Sequence, residues 1–197
     1  MLEKLAHDLV LENKWLRLEP LCYQHLDQLL LAASDGELWN LHFTGVPSAD
    51  SIEQWYATAV AEREQGRQLP FAVRRLDTDT LVGSSRFYDI NAEHRNLAIG
   101  YTWYALSAQR TFVNSNCKLL LLEHAFELCG CIAVYWHTHH ENFASQRAIL
   151  RLGAQADGII RNHQIDKTGR LRHTHCFSMI DEEWPSAKRA LLASQAA

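Results

Sequence analysis

Polar side chains are concentrated on the turn that opens the most apolar helix predicted in the chain. A strand-like segment ends at Tyr104, an apolar helical segment begins near Val113, and the turn between them contains no glycine. The polar residues on and just after this turn are Gln109, Arg110, Thr111, Asn114 and Ser115. A helix start carries unpaired backbone N–H groups and the positive end of the helix dipole. One or two capping side chains would satisfy those groups, so the cluster predicts either an elaborate cap or a seat for an anion.

A second turn with capping residues lies in the segment HENFASQRAILRLG. Asn142 is a good N-cap residue, and Ser145 follows three positions later, on the first turn of the predicted helix. The two residues can serve simply as a cap, because short polar side chains commonly bond to the backbone at helix starts.

Two histidine-rich segments, HTHH and HTHC, raise the question of a metal site. On a strand, His137 and His139 share one face, and so do His173 and His175. No carboxylate or cysteine pair stands at a spacing typical of zinc ligands. We therefore interpret these residues as surface or sheet-packing histidines and expect no metal.

The elements that position these residues follow from hydrophobic periodicity. The predicted order is β-α-α-β-β-β-α-β-α-β-β with a short C-terminal helix, and Ser48 or Asp50 is expected to cap the second helix. Gly130 and Gly153 are expected to end the helices that begin near Val113 and after Asn142. Hairpins combined with strand–helix–strand crossings predict an α/β (α+β) protein with a mixed, mostly antiparallel sheet and helices on both faces.

Composition limits the classes of function. The chain has 197 residues, which predicts a single domain over residues 1–197. A formal net charge of −4 argues against nucleic acid or an anionic membrane as the partner. The N-terminal segment is interrupted by charges and resembles neither a signal peptide nor a membrane span. Five cysteines without framework spacing predict reduced thiols and a cytoplasmic protein, and we expect a monomer or homodimer.

With these elements in place, the chain resembles the GNAT acetyltransferase superfamily, and within it the RimJ and RimL ribosomal-protein N-terminal acetyltransferases. The resemblance rests on IGYTWYALSAQRTFVN with its leucine-rich helix, on HENFASQRAILRLGA and on the final DEEWP. It extends over nearly the whole chain and implies the GNAT acyl-CoA N-acyltransferase fold. It also implies acetyl-CoA as co-substrate.

The resemblance also implies roles for individual residues. The family's pyrophosphate-binding loop matches Gln109 to Asn114, and the family's proton donor to the departing thiolate matches Ser145. The residues expected to bind the cofactor are Trp103, Tyr104, Gln109, Arg110, Thr111, Phe112, Val113, Asn114, Ser115 and Asn142.

The chain departs from the family pattern at two positions. Phe112 stands where the loop normally carries a glycine, which lets backbone approach phosphate closely. Ala98 stands where relatives often carry a glutamate in the strand before Ile-Gly. The general base is therefore left open: Asp89, Glu93, His94 and His42 are substitutes, as is direct proton loss to water.

The acceptor side is predicted from aromatic and charged residues. Trp39 and His42 lie in an irregular aromatic segment that is expected to form one wall of the acceptor site. Arg86 can pair with a carboxylate of the acceptor or remain solvated on the sheet surface. The expected function is N-acetyl transfer to a primary amine, either a protein or peptide N-terminal α-amino group or a small amino compound. The alternative is a non-catalytic acyl-CoA-binding or regulatory protein with the same fold, favoured by Phe112 and Ala98.

Overall fold

The computed structural model describes residues 1–195 of the chain. The strands are β1 (Leu11–Glu12), β2 (Leu16–Pro20), β3 (Gln68–Arg75), β4 (Thr80–Asn91), β5 (Asn96–Tyr104), β6 (Ala133–His139), β7 (Gln155–Ile165) and β8 (Leu171–Ile180). The helices are α1 (Leu26–Ser34), α2 (Ile52–Glu64), α3 (Phe112–Glu123), α4 (Phe143–Arg151) and α5 (Trp184–Gln195). The domain predicted from the sequence runs to Ala197, and residues 196 and 197 lie outside the described part of the chain.

The strands form one eight-stranded sheet in the order β1-β2-β3-β4-β5-β6-β8-β7. Every neighbouring pair is antiparallel except β5 and β6, which are parallel. The mixed, mostly antiparallel sheet predicted from the sequence is therefore confirmed. The parallel pair requires a crossover, which α3 supplies.

Helices α2 and α3 pack on opposite faces of this sheet. Neighbouring residues on a strand point to opposite faces. On β4, the guanidinium of Arg86 lies 4.9 Å from the ring centroid of Trp55 on α2. The next residue, Phe87, stacks on His124, which directly follows α3. The sheet is thus covered on both sides, and the long run of buried residues on β3 and β4 is consistent with that double cover.

Helix α3 forms because an apolar sequence follows a capping residue. Leu121 and Leu122 are fully buried, and each such side chain contributes about 1.5–3 kcal/mol. After Glu123 the helix widens into a π-helical turn over His124–Leu128, and Gly130 follows with φ +65°. A left-handed residue here favours glycine, as the sequence predicted for the end of this helix.

Element boundaries differ from the sequence prediction in three places. Strand β1 was not predicted, because two residues are too few to produce an alternating pattern. Helix α1 is preceded by a 3₁₀ turn at Tyr23–His25. The N-cap of α2 is Ser51 rather than Ser48 or Asp50, and its hydroxyl accepts a bond from the Ser48 amide at 2.8 Å.

Candidate active site

A cavity of about 1700 Å³ lies where β5 and β6 separate. Their parallel pairing extends only from Asn96–Ala98 to Ala133–Tyr135. Beyond that point the two strands no longer pair with each other, although β5 stays paired with β4 and β6 with β8. Residues 99–104 and 136–139 line the cavity from its two sides. The gap in the ladder is therefore the structural origin of the cavity.

The turn before α3 forms one wall of the cavity. The hydroxyl of Thr111 accepts a bond from the Val113 amide at 3.3 Å and donates to the Ala108 carbonyl at 2.6 Å. The amide of Gln109 donates to the carbonyl of Tyr104 at 3.0 Å. Thr111 and Gln109 thus stabilise the turn itself, which is the capping role that the sequence left open.

Other polar side chains of this turn make no side-chain hydrogen bond to any described residue. Arg110, Asn114 and Ser115 line the cavity, and Arg110 adopts a left-handed conformation with φ +60°. Val113 is fully buried and takes part in the turn only through its capped amide. Since first-turn amides lack intrahelical partners, this wall presents both backbone donors and a guanidinium to the cavity.

Phe112 lies at the first position of α3, partly buried. Its ring is 5.3 Å from the ring of Trp15, and the guanidinium of Arg75 lies 4.9 Å from its centroid. Both Phe112 and Trp15 line the cavity. The position that carries glycine in the resembled family therefore holds a ring packed against the N-terminal part of the chain.

The start of α4 forms the facing wall. The side-chain oxygen of Asn142 accepts a bond from the Ser145 amide at 3.0 Å, so Asn142 is the N-cap. Both residues line the cavity. Within the described residues, the Ser145 hydroxyl has no hydrogen-bond partner. Capping is accomplished by Asn142 alone, which leaves the Ser145 hydroxyl available for a ligand.

A β-bulge shapes the β5 side of the cavity. Pairing of β4 with β5 shifts between Ser84 and Arg86, and Tyr101 adopts φ +51°. A bulge leaves backbone groups outside the ladder, and Gly100 to Thr102 all line the cavity. A Cβ atom on Gly100 would lie 2.6 Å from Cε1 of Tyr88, so a glycine is required for the Tyr88 ring to lie against the bulge.

Lys118 brings a buried amine to the same cavity. Its Nζ donates to the hydroxyls of Ser85 at 3.2 Å and Thr102 at 2.7 Å, and the residue is 5% exposed. Burial lowers the pKa of Lys118 from 10.5 to about 8. In the described chain no carboxylate forms an ion pair with it.

A further polar group lies on the α2 face of the sheet, and Asp89 is its only member that the sequence analysis proposed for a role at the site. We name it the far-face cluster, and its members are Tyr88, Asp89, His137, His163 and Arg172. The hydroxyl of Tyr88 lies 3.1 Å from Nδ1 of His137. Burial lowers the pKa of His137 and raises that of Tyr88. These residues come from four strands, so strand alternation alone could not bring them together.

The irregular segment between α1 and α2 contacts the cavity through residues other than those predicted. Leu38, Leu41 and Phe43 line it, whereas Trp39 and His42 do not. The carbonyl of Trp39 accepts a bond from Lys167 on the β7–β8 turn. A role for Trp39 and His42 in acceptor binding stays a prediction.

His42 belongs to a network that joins three segments. Its Nε2 lies 2.5 Å from a carboxylate oxygen of Glu141, and Arg170 donates to the same oxygen at 3.4 Å. Nδ1 of the buried His139 accepts a bond from the Glu141 amide. The His42, His139 and Glu141 ligand atoms lie within 4.8 Å of one another, and here the imidazole of His42 and the carboxylate bond directly to each other.

Arg86, the predicted carboxylate partner, does not line the cavity. It is 2% exposed, its guanidinium lies between the rings of Trp55 and Tyr101, and Nη1 donates to Gln68 at 2.9 Å. Burial lowers the pKa of Arg86 to about 10. Its acceptor role therefore lacks direct geometric support and stays a prediction.

Comparison with known proteins agrees with this architecture. Residues 16–155 match the family described as the acetyltransferase (GNAT) domain. The chain is 24% identical over 174 residues to the uncharacterized N-acetyltransferase YoaA of Bacillus subtilis (strain 168), covering 87% of this chain and 96% of YoaA. A GCN5-related N-acetyltransferase from Brucella melitensis superimposes with a TM-score of 0.86 at 30% identity, covering 95% of this chain and 86% of that one.

A third similarity concerns the fold alone. Mycobacterium smegmatis RimJ, solved in complex with CoA-disulfide, superimposes with a TM-score of 0.76 at 19% identity, covering 91% of this chain and 89% of RimJ. The chain belongs to the GNAT acetyltransferase family, and it is an acetyl-CoA-dependent N-acetyltransferase. Among residues 1–195, no helix is both long enough and apolar enough to cross a membrane.

Proposed function

We propose that this protein transfers the acetyl group of acetyl-CoA to a primary amine by direct attack of the amine on the thioester. The acceptor is the N-terminal α-amino group of a protein or peptide, or a small amino compound. One observation carries the proposal: the cavity begins at the start of α3, passes the gap between β5 and β6, and reaches the far-face cluster. Such a passage allows cofactor and acceptor to approach from opposite faces of the sheet.

The start of α3 is the proposed seat of the cofactor pyrophosphate. Helix N-termini attract anions, and Arg110, Asn114 and Ser115 add side-chain donors. The proposed cofactor wall is completed by Trp103, Tyr104, Gln109, Thr111 and Phe112, which line the cavity, whereas Val113 is buried behind them. Asn142 is proposed to bond the amides of the pantetheine arm. Cofactor pockets usually enclose about 300–1000 Å³, so this cavity is large enough for a cofactor together with an acceptor.

Few catalytic parts are needed for this reaction. Bound acetyl-CoA supplies the electrophilic thioester carbon. Backbone donors at the bulge around Tyr101 are proposed to stabilise the carbonyl oxygen as it becomes an oxyanion. The Ser145 hydroxyl is proposed to protonate the thiolate as the carbon–sulfur bond breaks. Its lack of a partner among the described residues supports that role.

Proton removal from the amine is assigned to the far-face cluster or to water. Ala98, at the position of the family glutamate, is fully buried and paired with Tyr88 and Tyr135. His137 and Asp89 line the cavity, and the lowered pKa of His137 keeps its imidazole neutral and able to accept a proton at pH 7. An N-terminal amine has a pKa of about 8, so direct loss to water also contributes.

The test is acetyl transfer to a panel of peptides and small amines, followed by mass spectrometry of the product and by thiol release. We expect Ser145→Ala to lower turnover roughly ten- to a thousandfold, with CoA affinity and thermal stability unchanged. Ser34→Ala, on the exposed end of α1, is the matched control. Binding of CoA without product from any amine would instead favour the non-catalytic alternative, which Phe112 and Ala98 suggested.

A further inference from the structure

Arg172 on β8 is a cavity-lining guanidinium without a counter-charge. Its Nε is buried and has no hydrogen-bond partner, and in the described chain no carboxylate forms an ion pair with it. The groups that interact with its charge include the phenols of Tyr88 and Tyr101 and the imidazoles of His137 and His139, and none of these is an anion at pH 7. The Nε atom is buried although the residue as a whole is partly exposed, and a buried donor without a partner costs free energy, which points to a partner that is absent from the protein itself.

A second guanidinium adds to the positive potential at the same place. The Arg86 guanidinium lies 4.7 Å from the Tyr101 ring centroid, and its only side-chain hydrogen bond among the described residues is to the neutral Gln68. The Tyr101 ring also lies 5.3 Å from the Tyr88 ring. Among the described residues neither guanidinium forms an ion pair with a carboxylate, Glu62 interacts with Arg86 at longer range, and both guanidinium groups interact with Tyr101 beside the bulge.

The charges lining the cavity are strongly unequal in sign. Asp89 is the one carboxylate among the described lining residues. The lining cations are Arg110, Lys118, Arg147, Arg151 and Arg172. Four of these cations lie on the proposed cofactor side, where an anionic cofactor would balance their charge: Arg110 on the turn before α3, Lys118 on α3, and Arg147 and Arg151 on α4. Arg172 belongs to the far-face cluster, where the proposed acceptor enters.

We infer that the acceptor amine carries a carboxylate close to its amino group, and that Arg172 binds this carboxylate. The inference rests on the proposed function and narrows its acceptor to amino-carboxylates. The planar guanidinium pairs with a carboxylate through two parallel hydrogen bonds, which would also fix the orientation of the acceptor. The amine is then directed toward His137 and Asp89, and the positive surroundings favour its neutral, nucleophilic form. Both a free α-amino acid and a peptide beginning with an acidic residue supply this chemistry.

The experiment compares matched acceptors that differ only in the carboxylate. One arm uses α-amino acids and their carboxamides, and the other uses tetrapeptides beginning with Asp or Glu and their Asn or Gln counterparts. Binding to the CoA-saturated enzyme is measured by calorimetry, and acetyl transfer is measured separately. We expect the carboxylate member of the preferred arm to bind about 10- to 100-fold more tightly, as for a hydrogen-bonded charge.

The Arg172→Gln variant should remove this preference. We expect it to raise the KM and Kd of the carboxylate acceptor about 10- to 100-fold and to leave the Kd of the amide member nearly unchanged. Arg172→Lys should recover part of the preference, because lysine keeps the positive charge but cannot make the two parallel hydrogen bonds of a guanidinium. Arg161→Gln, an exposed arginine on the neighbouring strand β7, is the control. Thermal melting checks that each variant is folded.

Failure of the inference and failure of the proposed function give different results. Equal binding of acid and amide members by the wild type, including no binding of either, overturns the carboxylate subsite. An equal effect of Arg172→Gln on both members does the same. A carboxylate preference that depends on Arg172 but is accompanied by no acetyl transfer supports the subsite and overturns the catalytic proposal.

Discussion

Replacing Lys118 with Met tests whether the cavity holds a buried, weakly basic amine. Burial lowers the pKa of Lys118 from 10.5 to about 8, and each unit of that difference corresponds to about 1.4 kcal/mol. At pH 7 burial of this amine as a charged group therefore costs the folded protein about 3 kcal/mol, and at pH 9, where the folded amine is largely neutral, burial costs about 2 kcal/mol. Met retains the length of the side chain and removes the charge.

The sign follows from proton uptake. Between about pH 8 and pH 10.5 the unfolded chain binds the proton of this lysine and the folded chain does not, so stability of the wild type rises with pH. Burial raises the pKa of the neighbouring Cys117 thiol. We expect the unfolding free energy of the wild type to rise by about 1 kcal/mol relative to Lys118→Met between pH 7 and pH 9.

Urea denaturation of both proteins at the two pH values measures this difference directly. The other titrating groups are shared, so their contributions cancel in the comparison except for that of Cys117, whose pKa is lowered by Lys118 itself. Lys14→Met, at an exposed position, controls for loss of a lysine without burial. If the free energies of unfolding of wild type and Lys118→Met differ by the same amount at pH 7 and pH 9, the reasoning is refuted. Such a result would mean that folding does not change the proton affinity of this amine.

Two further substitutions test the packing of the cavity walls. Phe112→Gly removes the ring packed on Trp15 and adds a helical glycine, so we expect urea denaturation to show a loss of about 3 kcal/mol, with CoA affinity by calorimetry changed less than tenfold. A large loss of affinity at unchanged stability would show that the ring contacts the cofactor instead. Gly100→Ala places a Cβ atom 2.6 Å from Cε1 of Tyr88, so we expect a displaced Tyr88 ring and about tenfold lower kcat/KM for the acceptor. Gly45→Ala is the control and should change stability little, because no atom lies within 4 Å of the Cβ position at Gly45. Unaltered acceptor kinetics in Gly100→Ala would separate Tyr88 from the reaction.

Local signals in the sequence were sufficient to find two walls of the candidate site. The start of α3 and the start of α4 are marked by short polar residues next to apolar helical segments, and Thr111 and Asn142 act as N-caps. Such signals depend on residues within a few positions along the chain, so they can be recognised without knowledge of the tertiary structure. The mixed, mostly antiparallel character of the sheet was likewise accessible from hairpins and crossovers.

The far-face cluster could not be found in the same way. Tyr88 and His137 meet across strands separated by 49 positions in sequence, and their contact depends on where β5 and β6 stop pairing. For Arg86 the sequence indicates the face of the sheet but not the burial of the side chain. Alternation correctly placed it on the face of Tyr88, but α2 covers that part of the face with Trp55 and separates the guanidinium from the cavity. Burial by a distant helix leaves no signal near Arg86 in the sequence.

The alanine at position 98 and the unpaired arginines can be understood together. The resembled family often places a glutamate at this position, close to the bulge. A carboxylate there would repel an acceptor that is itself anionic, since like charges a few ångströms apart cost free energy in a partly desolvated site. In this chain Ala98 removes that charge, Asp89 is the one carboxylate among the described lining residues, and Arg172 has no protein partner. If the acceptor is acidic as proposed, the absence of the family base and the preference for that acceptor follow from one electrostatic arrangement. In it the positive surroundings lower the proton affinity of the bound amine and reduce the need for a strong base.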